Sequence, residues 1–130
     1  MSPPEYLYKI LDAPPPSPLP TTLPATELDT QDGFIHLSTA KQTPITAKLF
    51  FSNCETLWVL KLRREALDGE IEYSTDPNAG VSDGCAHVHG SRSGLGSGNV
   101  EGTVEARRQN GQTWVENESL RGLVASSNAD

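Results

Sequence analysis

Cysteine is scarce in this chain. Cys54 and Cys85 are too few for a disulfide framework and show no C-x-x-C spacing. They read as reduced thiols, which points to the cytoplasm. Basic residues are also in short supply. Ten Lys and Arg stand against 17 Asp and Glu, a formal charge of −7. That balance works against broad nucleic-acid binding and against an anionic membrane surface, leaving small molecules or proteins as expected partners. No apolar run approaches the roughly 20 residues that cross a bilayer, and "MSPPEYLYKI" lacks the basic segment and hydrophobic core of a signal peptide. Neither a G-x-S-x-G elbow nor a G-x-x-x-x-G-K-[ST] loop is present, so the sequence carries no sign of a serine-hydrolase triad or a Walker-type phosphate site. The 130 residues suffice for one domain and not for two ordinary ones.

What is present suggests five or six short strands and one main helix, an α+β arrangement. "YLYKIL" reads as a first strand that stops at the proline run; residues 12–24 read as an extended surface loop. "GFIHLST" reads as a strand with Phe34, His36 and Ser38 on one face. In "TPITAKLFFSN", Thr43 is the expected cap and Pro44 suits the first turn, with Ile45, Leu49 and Phe50 at helical spacing. "TLWVLKL" is a buried strand, "RREAL" a helical turn and "EIEYS" another strand. In "CAHVHG" the alternation puts Cys85, His87 and His89 on one face. "VEGTVEARRQNGQTWVE" suggests a hairpin about Asn110-Gly111. A single domain over 1–118 is expected, with 119–130 as a tail of at most one helical turn.

His36 carries the first chemical signal, because an imidazole in a strand serves as donor, base or metal ligand. Ser38 and Thr39 beside it suggest a ligand-facing pocket. Cys85, His87 and His89 lie about 7 Å apart along one strand face, which keeps a strand-borne zinc, iron or copper site open, with His36 as a further ligand. The acidic residues form no metal motif, and the expectation is that no metal is bound. The glycine-rich "GSRSGLGSGN" would wrap a phosphate with its N–H groups, with Arg92 as the pairing cation.

"DGFIHLSTAKQ", followed by "TAKLFF", "LWVLKL" and "AHVHG", resembles the family catalogued as domain of unknown function 952, over roughly Leu7 to Val104. The family's members look like small versions of the ADP-ribosyltransferase fold, a split β-sheet that holds NAD in a cleft. Its "D-G-F-I-H-L-S-T" falls on Asp32 to Thr39. Its later "P-H-[I/L]-Y-G" falls on Ala86 to Gly90, where Ala86 replaces the proline and His89 the tyrosine. Lys9 stands where the family often has histidine. The resemblance implies NAD, or an ADP-ribose-type ligand, bound by Lys9, His36, Ser38, Thr39, His87, His89 and Arg92. It also implies transfer chemistry at His36, His87 and a glutamate, with Glu105 or Glu101 as candidates. The alternative is a binding module that kept the cleft without the chemistry.

Overall fold

Alternation along β1 (Tyr6–Leu11) decides the layering of the fold. Leu7 points to one side of the strand, while Tyr8 and Ile10 point to the other, and all three are buried. A strand apolar on both faces has to be covered on both. The structure is a computed structural model that describes residues 5–73, 86–109 and 111–128. In it, β1 pairs antiparallel with β3 (Thr56–Arg63), which pairs with β6 (Val100–Arg107). A second antiparallel sheet has β5 (Ala86–His89) between β2 (Ile35–Leu37) and β4 (Glu70–Tyr73).

The first sheet is the middle layer. On one side Tyr8, Ile10, Leu57, Val59 and Ala106 pack with Ala47, Trp114, Leu120 and Leu123. Those partners come from α2 (Thr43–Phe50), a short 3-10 turn (Trp114–Glu116) and α3 (Glu118–Asn128). On the other side Leu7, Leu60 and Leu62 meet Leu37, Ala86 and Val88 of the second sheet. The two sheets are also joined by a bridge in which Tyr8 and Ser38 exchange backbone hydrogen bonds of 2.8 Å. The result is an α+β fold of two small antiparallel sheets with few helices.

Three sequence expectations are corrected: the cap of α2, the hairpin and the one-turn tail. The apolar residues of α2 do not form its buried face: Ile45, Leu49 and Phe50 are 38, 47 and 62 % exposed, while Thr43, Pro44 and Ala47 are buried. Small side chains let the helix approach the sheet closely, and its start is fixed by its neighbours. Thr39 Oγ1 accepts from the Gln42 N–H at 3.4 Å, and Gln42 Oε1 accepts from the Thr39 N–H at 3.1 Å. This is the reciprocal arrangement of a capping box, one turn before the Thr43 that was expected to cap.

The hairpin after Val100 has only its first arm. Asn110 lies outside the described residues, but beyond it the chain makes the 3-10 turn rather than a strand. The Trp114 side chain is 1 % exposed and donates its Nε1–H to the Phe51 carbonyl at 2.9 Å. Asn117 then starts α3: Oδ1 accepts from the N–H groups of Ser119 and Leu120, while Nδ2 donates to the Arg107 carbonyl. The tail therefore continues as an 11-residue helix rather than a single turn.

A helix unforeseen in the sequence, α1 (Glu27–Asp32), leads into β2. Thr26 caps it by accepting from the Asp29 N–H, and Gly33, at φ 78°, ends it in the left-handed region. Leu120→Ala is expected to destabilise the protein by about 2–5 kcal/mol through the cavity it leaves. Leu49→Ala, on the exposed face of α2, is expected to stay within about 0.5 kcal/mol. Urea denaturation midpoints of the two variants measure the contrast.

Candidate functional site

The site begins at a charged residue within an apolar strand. Lys9 shares its face of β1 with Leu7 and Leu11 and is 5 % exposed. Its ammonium needs a partner, and α1 supplies one. Lys9 Nζ donates to Asp29 Oδ2 at 2.6 Å and to the His36 carbonyl at 3.1 Å. The other oxygen of Asp29 accepts from the His36 backbone N–H at 3.1 Å and from ring Nδ1–H at 2.7 Å. His36 Nε2 lies 2.9 Å from Asp32 Oδ2, on the last residue of α1. One buried carboxylate thus ties β1, α1 and β2 together and fixes the ring plane of His36.

Burial pushes the Lys9 ammonium below its usual range, with Asp29 opposing the shift. Burial also acts against the charge on Asp29, but Lys9 and the two His36 donors outweigh it and hold the carboxyl below the ordinary carboxylate value.

Above this network lies a cavity of about 530 Å³ between the sheets. Its floor includes Lys9, Asp29, Ile35 and Leu60; its roof is the proline arm, Asp12–Pro16 and Thr22–Ala25. The glycine-rich loop closes the side through Ser91, Arg92 and Leu95. The arm is bound to that loop: Leu23 N–H donates to Leu95 O at 2.6 Å, Ser97 N–H to Pro20 O at 2.9 Å, and Thr22 Oγ1 to Ser93 O at 2.9 Å. The two backbones approach so closely that a Cβ on Gly96 would fall 2.0 Å from the Thr21 carbonyl oxygen.

Several of the loop's N–H groups are bonded within the protein. Asp68 accepts from Ser91 Oγ and from the N–H groups of Arg92 and Ser93 at 2.5, 2.8 and 3.0 Å. These donors lower its carboxyl to about 2. Gly94 N–H donates to Ser91 Oγ and Gly96 N–H to Asn99 Oδ1. The N–H groups of Arg92 and Ser93 are thus turned to an anion of the protein itself, and the Arg92 side chain is the part of the loop's expected phosphate site that lines the cavity.

The outer face of the second sheet carries the histidines. His36 stands directly opposite His87, with ring centroids 5.2 Å apart and edge-on. Phe34 packs against His36, His87 and His89 at centroid distances of 4.7, 4.5 and 4.7 Å. Glu72 lies across from His87 in the ladder and reaches His89 Nε2 at 3.4 Å. Burial and the neighbouring imidazoles push the His87 ring below the ordinary histidine value.

The expected residues therefore divide. Lys9 and Arg92 reach the cavity, and His36 is coupled to it through Asp29. His87 and His89 share the outer face with His36. Ser38 is buried, with its hydroxyl donating to Thr46 Oγ1 at 3.3 Å, and Thr39 belongs to the helix cap. Glu105 does not line the cavity; it sits on β6 opposite Trp58 and accepts from Arg107 Nε at 3.1 Å. Glu101 is exposed on the same strand. Cys85 lies outside the described residues, and among those described no three His, Cys, Asp or Glu side chains are placed to hold a metal ion. The sequence assigns no site role to Asp29, Asp32, Phe34 or Asp68. The signal for Asp29 was local: Thr26-x-x-Asp29 before Gly33 is a helix start and stop flanking the six residues Glu27–Asp32.

The match to a family model described as "Protein of unknown function (DUF952)" spans residues 20–103, from the roof of the cavity into β6. The chain belongs to the DUF952 family. The matched span includes Asp29, His36, His87 and Arg92, while Lys9 precedes it. The fold of this DUF952 chain is also that of protein CC0527 from Caulobacter crescentus. Its crystal structure superposes with a TM-score of 0.66 at 19 % identity, over 92 % of this chain and 98 % of that one. A double mutant of the same protein gives the same TM-score and coverage at 18 % identity. No curated protein matches the DUF952 chain in sequence. No helix among the described residues is long and apolar enough to cross a membrane.

The shifted groups set the pH response. Asp29 titrates lower in the fold than in the unfolded chain. Its contribution is therefore complete above about pH 4, the ordinary carboxylate value, and is lost as the pH falls through the folded value. Unfolding by urea between pH 6 and pH 3 should show Asp29→Asn starting less stable and losing less than the wild type. His87 is also lowered, so the neutral ring is favoured and stability declines as the pH falls below about 6.5, the ordinary histidine value. His87→Gln should flatten the slope between pH 7.5 and pH 5.5.

Proposed function

We propose that the cavity between the two sheets binds an ADP-ribose-type nucleotide and that the protein works as a binding module, with NAD a ligand rather than a consumed substrate. The observation that carries this reading is the cavity itself: about 530 Å³, with a buried Lys9–Asp29 pair at its floor and Arg92 beside it. Small-molecule sites have this scale and this pattern of apolar walls with a few placed polar groups. Two small antiparallel sheets facing a cleft are compatible with the split-sheet scaffold of ADP-ribosyltransferases, which the motif resemblance suggests. In the proposed pose Arg92 pairs with a phosphate, and the Asp29 carboxylate accepts from a ribose hydroxyl.

The module is preferred to transfer because neither glutamate that the resemblance implies for the chemistry, Glu105 or Glu101, lines the cavity. Glu105 is directed to Arg107, and the carboxylates lining the cavity are Asp12 and the already engaged Asp29. One observation favours transfer as the second reading: the carboxylate that reaches the cavity also fixes Nδ1 of His36, leaving Nε2 as the working nitrogen of an acid or base once Asp32 swings away.

Calorimetric titration of ADP-ribose and NAD, with free nicotinamide assayed in the same samples, tests both readings. The module reading expects binding without nicotinamide release, and a roughly tenfold weakening in Arg92→Ala, the scale of one charge-assisted hydrogen bond. Nicotinamide release abolished by His36→Ala would establish transfer instead. Failure of the wild type to bind either compound would reject the nucleotide reading.

A further inference from the structure

The lysines of this chain do not share one environment. Lys41 and Lys48 are exposed, and Lys61 is half-buried with its ammonium 4.0 Å above the Tyr6 ring. Lys9 has a side chain 7 % exposed, and what it reaches is the cavity wall. An amine in such a place has three properties that matter chemically. It is shielded from bulk water, which disfavours the ammonium. It has a proton acceptor in contact, Asp29 Oδ2 at 2.6 Å, and the His36 carbonyl at 3.1 Å fixes the direction of Nζ. It also opens onto a space large enough for a small ligand. The hydroxyls on the same wall are engaged: Ser91 donates to Asp68, Thr22 donates to the Ser93 carbonyl, and Thr26 accepts from the Asp29 N–H.

We propose that Lys9 is a covalent site for small aldehydes and reducing sugars, which it takes as a Schiff base inside the cavity. A proton passes from Lys9 Nζ to Asp29 Oδ2, and the freed lone pair forms an N–C bond with the carbonyl carbon. The carbonyl oxygen receives the π electrons and takes the proton back from Asp29, giving a carbinolamine. A second N–H proton then moves to Asp29 and on to the hydroxyl, which leaves as water while the nitrogen lone pair closes the C=N bond. The protonated imine retains the single positive charge of the ammonium and remains paired with the Asp29 carboxylate. One ammonium and one aldehyde give one iminium and one water, with no oxidant or reductant consumed.

The proposal stands on the cavity and on Lys9, whatever ligand the cavity holds. Only the choice of ADP-ribose as a second probe, through the open-chain aldehyde of its ribose, rests on the nucleotide reading. The full chain is incubated with glycolaldehyde, or separately with ADP-ribose, in the presence of cyanoborohydride, and the reduced adducts are mapped by peptide mass spectrometry. With glycolaldehyde, Lys9 is expected to be modified at least tenfold faster than Lys41 or Lys48. Asp29→Asn should lower the Lys9 rate at least tenfold while leaving those two unchanged. A purely structural ion pair makes the opposite forecast, that Lys9 is the most protected of the lysines. Slower or equal labelling at Lys9 in the wild type overturns the proposal, and this arm needs no variant to fold. Glycolaldehyde trapping without ADP-ribose binding would keep the covalent site and remove the nucleotide reading. Binding of ADP-ribose without trapping of either probe would do the reverse.

Discussion

The contact between Lys9 and Asp29 is the constraint around which the rest of the site is arranged. A lysine in the middle of a buried strand is tolerated only with a carboxylate at hydrogen-bond distance, and removal of one partner of such a pair costs on the order of 3–5 kcal/mol. Everything nearby serves that requirement. The short helix α1 exists to bring Asp29 to the strand, Thr26 starts it and Gly33 stops it, and the turn after it delivers His36 to the second oxygen of the same carboxylate. What the pair does in this fold is orient an imidazole, through the second oxygen of Asp29.

The same economy explains how polar groups are divided among the layers. Hydroxyls that look available in the sequence, Ser38 and Thr39, are used to join β2 to α2. The amides of the glycine-rich loop are satisfied by Asp68, Ser91 and Asn99. What remains directed toward the cavity is a short set of groups, Lys9, Asp29 and Arg92, against walls of proline and leucine. Of these, Lys9 and Asp29 are bonded to each other and to His36.

The strands were largely legible. β1, β3, β4 and β5 follow from apolar runs and alternation that leave little choice of period. α2 was legible in its bounds and not in its orientation, because helical spacing of Ile45, Leu49 and Phe50 shows that three residues share a side without showing which side meets the sheet. The contact is made by small Ala47. The second arm of the expected hairpin failed for a tertiary reason: Trp114 had a buried place to fill and a carbonyl to bond at Phe51, 63 positions earlier in the chain. The pairing of His36 with His87 was likewise a matter of register between distant strands. Asp29 was invisible as a site residue because its meaning depends on Lys9, 20 positions away.

The order of strands in the two sheets, β1-β3-β6 and β2-β5-β4, interleaves along the chain. β2 is threaded between the first two strands of the other sheet, and β4 and β5 between its last two. No cut of the polypeptide separates one sheet from the other, so the halves flanking the cavity are not two lobes that swing apart on a linker, as in hinge-closing proteins. What joins the proline-rich arm to the glycine-rich loop is a few main-chain and hydroxyl bonds. In this architecture the arm can vary in sequence while the strands that join the two sheets stay as they are.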